Sequence, residues 1–450
     1  DWVHCLFNDG SVWGWGHGGQ GQLGTGDAHS TGSDMGPHRV LGMENVRIIK
    51  IAASNYREQS NHHILALDDQ GQVWGWGRGS WGIMGVGNDE TQNSPRMISQ
   101  AYFDDKKVVD IAAWGDDNGS FSAARTQNDD FYAWGNNANG FCGQDNTTNQ
   151  WYPVKVAWEI PGGSVRDYNH TWKTHGGVKK WTVSGNYGYA WMMVLDGNGY
   201  VWHVGYNTSG QAFNNNTTNN SKGWRRSEPG TQFQVAESNT PTAGTNLDGN
   251  IVDFWTFSGH DSGSTEYAST YVRLDDGTTW YAGHGGAHYR NGFGDTANHT
   301  TPVRITKMMN LKKVMQVGLY SDISWTMWLT DSGELYYQGY GAHWSTPNPV
   351  SGSTTNWTGE DGDQKMYHCY VPTGSKIVDF RMDGQTDGAS WYGPNGVSAV
   401  TEDGRYFVWG WSGHSSQVNS QVTGHQRFAY SDSNTGGETN GQMFQPGIGR

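Results

Sequence analysis

The sequence predicts an all-β chain folded as a seven-bladed β-propeller with long loop insertions, and three observations predict it. Glycine is abundant, at 66 of 450 residues, and Trp, Tyr and Phe number 24, 22 and 14 against a hydrophobic share of only 34%. Aromatic side chains, each burying roughly 150 to 250 Å², must then carry the core, and many glycines beside them indicate short strands with tight turns. The second observation is an aromatic segment closing on glycine that recurs along the chain. The third is an apolar run ahead of all but the first copy, suited to a strand covered on both faces.

The recurring segment reads Asp9-Gly10-Ser11-Val12-Trp13-Gly14-Trp15-Gly16 near the start and returns as Gln70-Gly71-Gln72-Val73-Trp74-Gly75-Trp76-Gly77. It weakens to Phe131-Tyr132-Ala133-Trp134-Gly135 and to copies ending at Gly205, Gly283, Gly339 and Gly410. The intervals of 56 to 78 residues each hold a four-stranded blade and its loops. The preceding strands are predicted at 46–53, 108–113, 181–184, 251–257, 313–317 and 377–380, with a further strand between, as in His63-Ile64-Leu65-Ala66-Leu67. After the aromatic strand come Gly-rich turns and then a proline: Gly21-Gln22-Leu23-Gly24 before Pro37, Gly82-Ile83-Met84-Gly85 before Pro95, Gly140-Phe141-Cys142-Gly143 before Pro153, and Gly292-Phe293-Gly294 before Pro302. Proline is tolerated on an edge strand, where no ladder partner needs its missing N–H.

This order closely resembles the repeat of the regulator of chromosome condensation family, strongly in three copies and in outline across residues 1–410. The resemblance implies one propeller domain over 1–450, used for recognition. Its relatives serve guanine-nucleotide exchange, chromatin attachment and, in a secreted bacterial inhibitor, β-lactamase capture. No loop motif matches the exchange residues. The chain starts inside its first repeat, so the first blade is expected to be completed by the C-terminal region or by residues of a longer polypeptide.

A formal charge of −14, with basic residues scattered as doublets, argues against nucleic acid as partner, since phosphate binding needs a concentrated basic face. No apolar run reaches the roughly 20 residues of a membrane helix. Three distant cysteines, Cys5, Cys142 and Cys369, make neither a disulfide framework nor a zinc site. Gly14-Trp15-Gly16-His17-Gly18-Gly19 fits a dinucleotide fingerprint in letters alone, because no helix pattern follows it. Asp261-Ser262-Gly263 reads as a turn rather than a nucleophile. The acidic turns at 116–118, 360–363 and 383–387 lack the ordered spacing of a calcium loop. No catalytic residue, cofactor or metal is therefore expected.

The irregular connections at 206–250 and 341–375, with the polar segment 411–450, are the expected contact regions. Trp224, Arg225, Arg226, Trp344, Trp357 and Trp391 are the candidate binding residues, off the repeat and suited to protein or glycan contacts. Low lysine content, Asn/Thr/Gly-rich loops and abundant Trp lead to the expectation of a non-enzymatic module on an extracellular or virion surface, such as a phage tail, fibre or capsid decoration protein. Two readings stand beside it: a polysaccharide-degrading enzyme with carboxylates from different blades, and an intracellular exchange factor.

Overall fold

The computed structural model describes residues 2–409 except 28–34, 55–61, 117–118, 160–165, 187, 215, 228–232, 236–237, 243–249, 261–265, 286–290, 293–296, 319–323, 340–366, 370–374 and 384–395. The described strands form seven sheets, the blades of a β-propeller. Blade 1 has Trp2–Leu6, Val12–Gly16 and Met35–Arg39. Blade 2 has Ile48–Ala53, His63–Asp68, Val73–Gly77 and Gln92–Met97. Blade 3 has Val108–Asp116, Gly119–Thr126, Phe131–Gly135 and Gln150–Lys155. Blade 4 is built on Val178–Asn186, Tyr189–Asp196, Val201–Gly205 and Asn220–Arg226. These four lie in one compact unit. The second unit holds blade 5 (Ile251–His260, Glu266–Leu274, Thr278–Gly283, His299–Met309), blade 6 (Leu311–Gly318, Ser324–Thr330, Leu335–Gly339, Tyr367–Cys369) and blade 7 (Ile377–Asp383, Gly396–Thr401, Tyr406–Trp409). The aromatic segments fall on the third strands of blades 2 to 7 and on the second of the three described strands of blade 1, and Pro37, Pro95, Pro153 and Pro302 all fall on outer strands. The expected completion of blade 1 by residues after 410 lies outside the described residues.

The Gly-rich turns are explained by close approach. A Cβ on Gly21 would sit 3.0 Å from Asn93 Cα, on Gly82 2.7 Å from Trp151 Cα, and on Gly140 2.4 Å from Ser221 Cα. In each case the turn of one blade presses on the outer strand of the next, and Gly26 N–H and Gly87 N–H donate to the carbonyls of Asn93 and Trp151 at 2.9 and 3.0 Å. The next blade's tryptophan reaches back to the same turn: Trp76 Nε1 donates to Gln22 O at 2.8 Å, and Trp134 Nε1 to Ile83 O at 2.7 Å. Gly82 also holds φ +79°, which costs an L-residue roughly 1–2 kcal/mol before any clash. A Gly82→Ala variant is therefore expected to lose at least about 2 kcal/mol, read as a lower urea midpoint; an unchanged midpoint would show that the turn can move away from Trp151.

The first strands of blades 2 to 7 each carry a bulge at their second residue, so the register skips Ile49, Val109, Lys179, Val252, Lys312 and Val378. The bulge re-aims the chain, and the third position then alternates in charge: Lys50, Asp110, Lys180, Asp253, Lys313, Asp379. Within the first unit Lys50 pairs with Asp110, which also accepts from Trp181 Nε1 at 2.7 Å. Within the second, Lys313 Nζ lies 2.5 Å from Asp379. Such half-exposed pairs add little stability, but alternation favours neighbours of opposite charge over like ones.

Candidate interaction surface

Blade 4 differs from its predecessors at its outer edge. Asn220–Arg226 contains no proline, and a short hairpin, Trp158–Glu159 with Arg166–Asp167, adds to it as a parallel extension through the pair Trp158 and Trp224. Blade 5 repeats the device: the hairpin of Phe233–Val235 and Ser238–Thr242 joins His299–Met309 in parallel through Val303 and Arg304, starting one residue past Pro302. Residues 206–250, expected as one long loop, thus contain an outer strand and an edge hairpin.

The sequence-predicted residues separate accordingly. Trp224 is 1% exposed and packs with Trp158, Trp172 and Phe131 in the core, so it offers no surface to a partner. The sequence places it in the irregular connection 206–250, but it stands on the outer strand Asn220–Arg226, which lacks the proline that marks the outer strands of blades 1 to 3. Arg225 grips Glu159 of the hairpin with both arms, Nε at 2.5 Å from Oε2 and Nη2 on Oε1. Arg226 lies over the Tyr200 ring, 4.8 Å from its centroid. Trp344, Trp357 and Trp391 lie outside the described residues.

Sequence reasoning missed the aromatic side chains that are exposed at these edges: Trp151 at 38%, Tyr152 at 41% and Tyr168 at 36%. Tyr152 stacks obliquely on Tyr102 at 4.6 Å, and Tyr168 donates to Gln144 Oε1 at 3.0 Å. The signal was present, since Trp151-Tyr152 immediately precede the edge proline Pro153, where a large side chain stands on an outer strand. Aromatic and Arg side chains on a rigid strand are the residue types that dominate protein–protein binding energy. The outer edges of blades 3 and 4 therefore offer Trp151, Tyr152 and Tyr168 as exposed anchors, while Arg225 and Arg226 are half-buried and already engaged by Glu159 and Tyr200.

Beneath Arg225, His203 is buried, and burial together with that guanidinium pulls its pKa down to about 3. Asp196, also buried, closes the turn of blade 4: Oδ1 accepts from the N–H groups of Asn198 and Tyr200, both at 2.9 Å, and Oδ2 from Trp202 Nε1 at 2.8 Å. Asp68 repeats this in blade 2 with Gln70, Gln72 and Trp74. The Asn-rich stretch at 214–220 is likewise structural. Asn207 gathers Asn216, Thr218 and Asn219 as Asn137 gathers Asn146, Thr148 and Asn149 one blade earlier.

Four-stranded blades clamped by Gly-rich turns define a repeat β-propeller. Two of the repeats match the family model for the regulator of chromosome condensation (RCC1) repeat, at residues 9–56 and 70–117. The chain is 36% identical over 135 residues to RCC1 domain-containing protein RUG3, mitochondrial, of Arabidopsis thaliana, covering 29% of this chain and 26% of that protein. It is 30% identical over 167 residues to the Arabidopsis thaliana Ultraviolet-B receptor UVR8, covering 36% of this chain and 34% of UVR8. To the E3 ubiquitin-protein ligase HERC2 of Homo sapiens it is 30% identical over 159 residues, 35% of this chain and 3% of HERC2. The matches thus span about a third or less of each relative. Among solved structures, Prp20p of Saccharomyces cerevisiae, described with its binding to Gsp1p and histones, gives a TM-score of 0.54 at 17% identity, covering 88% of this chain and 80% of that one.

These relatives overturn the expectation of an extracellular or virion surface module, and with it the tail-fibre and glycan-binding readings. They include a mitochondrial protein, a light receptor and a ubiquitin ligase, and none is a virion component. The features that suggested a surface assembly have another origin. Trp76, Trp134, Trp191, Trp224, Trp280 and Trp328 are fully buried core, and the Asn/Thr-rich loop is a repeat turn closed by its own side chains.

Proposed function

We propose that this chain is an intracellular protein-recognition propeller that binds a partner protein without transforming it. The observation that carries the reading is the set of aromatic side chains exposed at the outer edges of blades 3 and 4, Trp151 and Tyr152 on the outer strand of blade 3 and Tyr168 just past the edge hairpin of blade 4. The relatives support it: a ubiquitin ligase, a light receptor and a mitochondrial protein have different activities as wholes and share this repeat, as expected when a fold supplies recognition and other parts supply the task. Net negative charge adds a preference for a basic protein surface. A polysaccharide-degrading centre gains no support from the shifted carboxylates. Asp403 is held low by hydrogen bonds from Arg405 and Thr401, and Asp379 is held low by Lys313 despite the upward push of burial, whereas a glycosidase acid is raised.

The test is affinity capture from cells with the wild-type chain and with a Trp151→Ala, Tyr152→Ala double variant. The expected result is one protein set retained by the wild type and reduced at least about tenfold in the variant, the effect of losing roughly 1.4 kcal/mol of binding energy. Equal capture by both would remove the outer strand of blade 3 from the interface. A second reading, nucleotide exchange, rests on the resemblance of the repeats to the regulator of chromosome condensation family; it predicts accelerated release of labelled GDP from a small GTPase, and an unchanged release rate would exclude it for that GTPase.

A further inference from the structure

We infer that His170 and His175 form a surface site for a divalent transition-metal ion of the zinc, copper or nickel kind. The site is separate from the recognition reading and does not rest on it. His175 closes the short turn Trp172–His175, and His170 precedes it, so that the two Nε2 atoms converge to 2.8 Å. The other nitrogen of each ring faces a carboxylate: His175 Nδ1 is 3.7 Å from Asp196 Oδ2, and His170 Nδ1 is 4.0 Å from Asp167 Oδ2. The short Nε2–Nε2 contact is a hydrogen bond in which one ring carries Nε2–H, and a bound ion would move that proton to the same ring's Nδ1, on the side where a carboxylate stands as the acceptor that metal-ligating imidazoles characteristically have behind them.

The surroundings hold the rings in place and leave a way in. The Trp158 indole lies parallel to His175 at 5.3 Å and against His170 at 4.5 Å. Asp196 is itself fixed by Asn198, Tyr200 and Trp202. The His170 side chain is 40% exposed and that of His175 19%. Zinc–nitrogen bonds of about 2.0–2.1 Å at a tetrahedral angle place two ligand atoms roughly 3.3 Å apart, so the pair must open by about half an ångström. Imidazole selects zinc, copper and nickel over magnesium and calcium. Among the described residues no cluster of three or more His, Cys, Asp or Glu has metal-binding geometry. Two imidazoles therefore bind modestly, leaving the remaining positions to water.

The test is titration of the purified chain with Cu²⁺ followed by tryptophan fluorescence, alongside Zn²⁺ calorimetry. Trp158, Trp172 and Trp202 lie 5.3, 6.2 and 4.7 Å from the His175 ring, so bound Cu²⁺ should quench them. The expected result is saturable binding of one ion, weakened in a His170→Gln variant by at least about tenfold, the lower cost of losing even an outer-shell partner. His170 is half-exposed, so that variant should keep the wild-type circular dichroism; Asp167→Asn, a surface change, should weaken binding less. No saturable binding by the wild type, or His170→Gln affinity within twofold of wild type, would overturn the site and leave a plain histidine–histidine hydrogen bond.

Discussion

Replacing Trp134 with alanine is expected to cost the first unit about 3–5 kcal/mol, the range for deleting a fully buried aromatic. Trp134 is 0% exposed, packs edge-on against Phe103 at 6.0 Å, and donates Nε1 to Ile83 O at 2.7 Å. That carbonyl also accepts from Ser122 Oγ at 3.1 Å, and Ser122 meets His63 Nε2 at 2.9 Å. The substitution thus empties a cavity and loosens the clamp by which blade 3 holds the turn of blade 2. Trp134→Phe keeps most of the volume and loses the N–H, so its cost should be smaller, about 1–3 kcal/mol. Urea unfolding followed by circular dichroism separates the two; equal midpoints for the alanine variant and the wild type would mean that the clamp carries no stability.

Acid should destabilise the fold well above the range in which carboxylates protonate. His4, lowered to about 4 by burial, and His203, lowered to about 3 by burial and Arg225, are both neutral in the folded chain at neutral pH. In the unfolded chain each returns to the ordinary 6.5. Stability is therefore fully present above pH 6.5 and falls as the pH drops toward the folded values, because the unfolded state binds the extra protons. Each histidine contributes a loss on the order of 3 kcal/mol by pH 4. Urea midpoints at pH 7 and 4.5 measure the loss, and His203→Gln should flatten the dependence; a variant as pH-sensitive as the wild type would exonerate His203.

The fold was legible in the sequence where one residue type has one job. Trp-Gly strands, Ile-Ala-Ala first strands and edge prolines each answer to burial, period or a missing N–H, so all seven aromatic strands and all six predicted first strands fall where expected. The turn glycines were legible as turns, and only coordinates reveal the backbone of the next blade 2.4 to 3.0 Å from an added Cβ. The edge hairpins were not legible, because the parallel pairs joining them to blades 4 and 5 span one or two residues from distant segments. Trp224 was misplaced for the same reason: its strand is marked by a neighbour rather than by its own pattern. One readable signal went unused. Asn146-Thr147-Thr148-Asn149 recurs as Asn216-Thr217-Thr218-Asn219, which marks the fourth turn as a repeat of the third and not as a contact loop.

Hydrogen exchange by mass spectrometry tests the seven-repeat account most directly. The aromatic strands of blades 1 to 6, each laddered on both sides, should be the slowest-exchanging peptides and comparably so, since central strands open only with the sheet around them. Rapid exchange at Val201–Gly205 or Thr278–Gly283 while Val73–Gly77 stays protected would contradict it, leaving a folded N-terminal array beside segments that share its letters but not its structure.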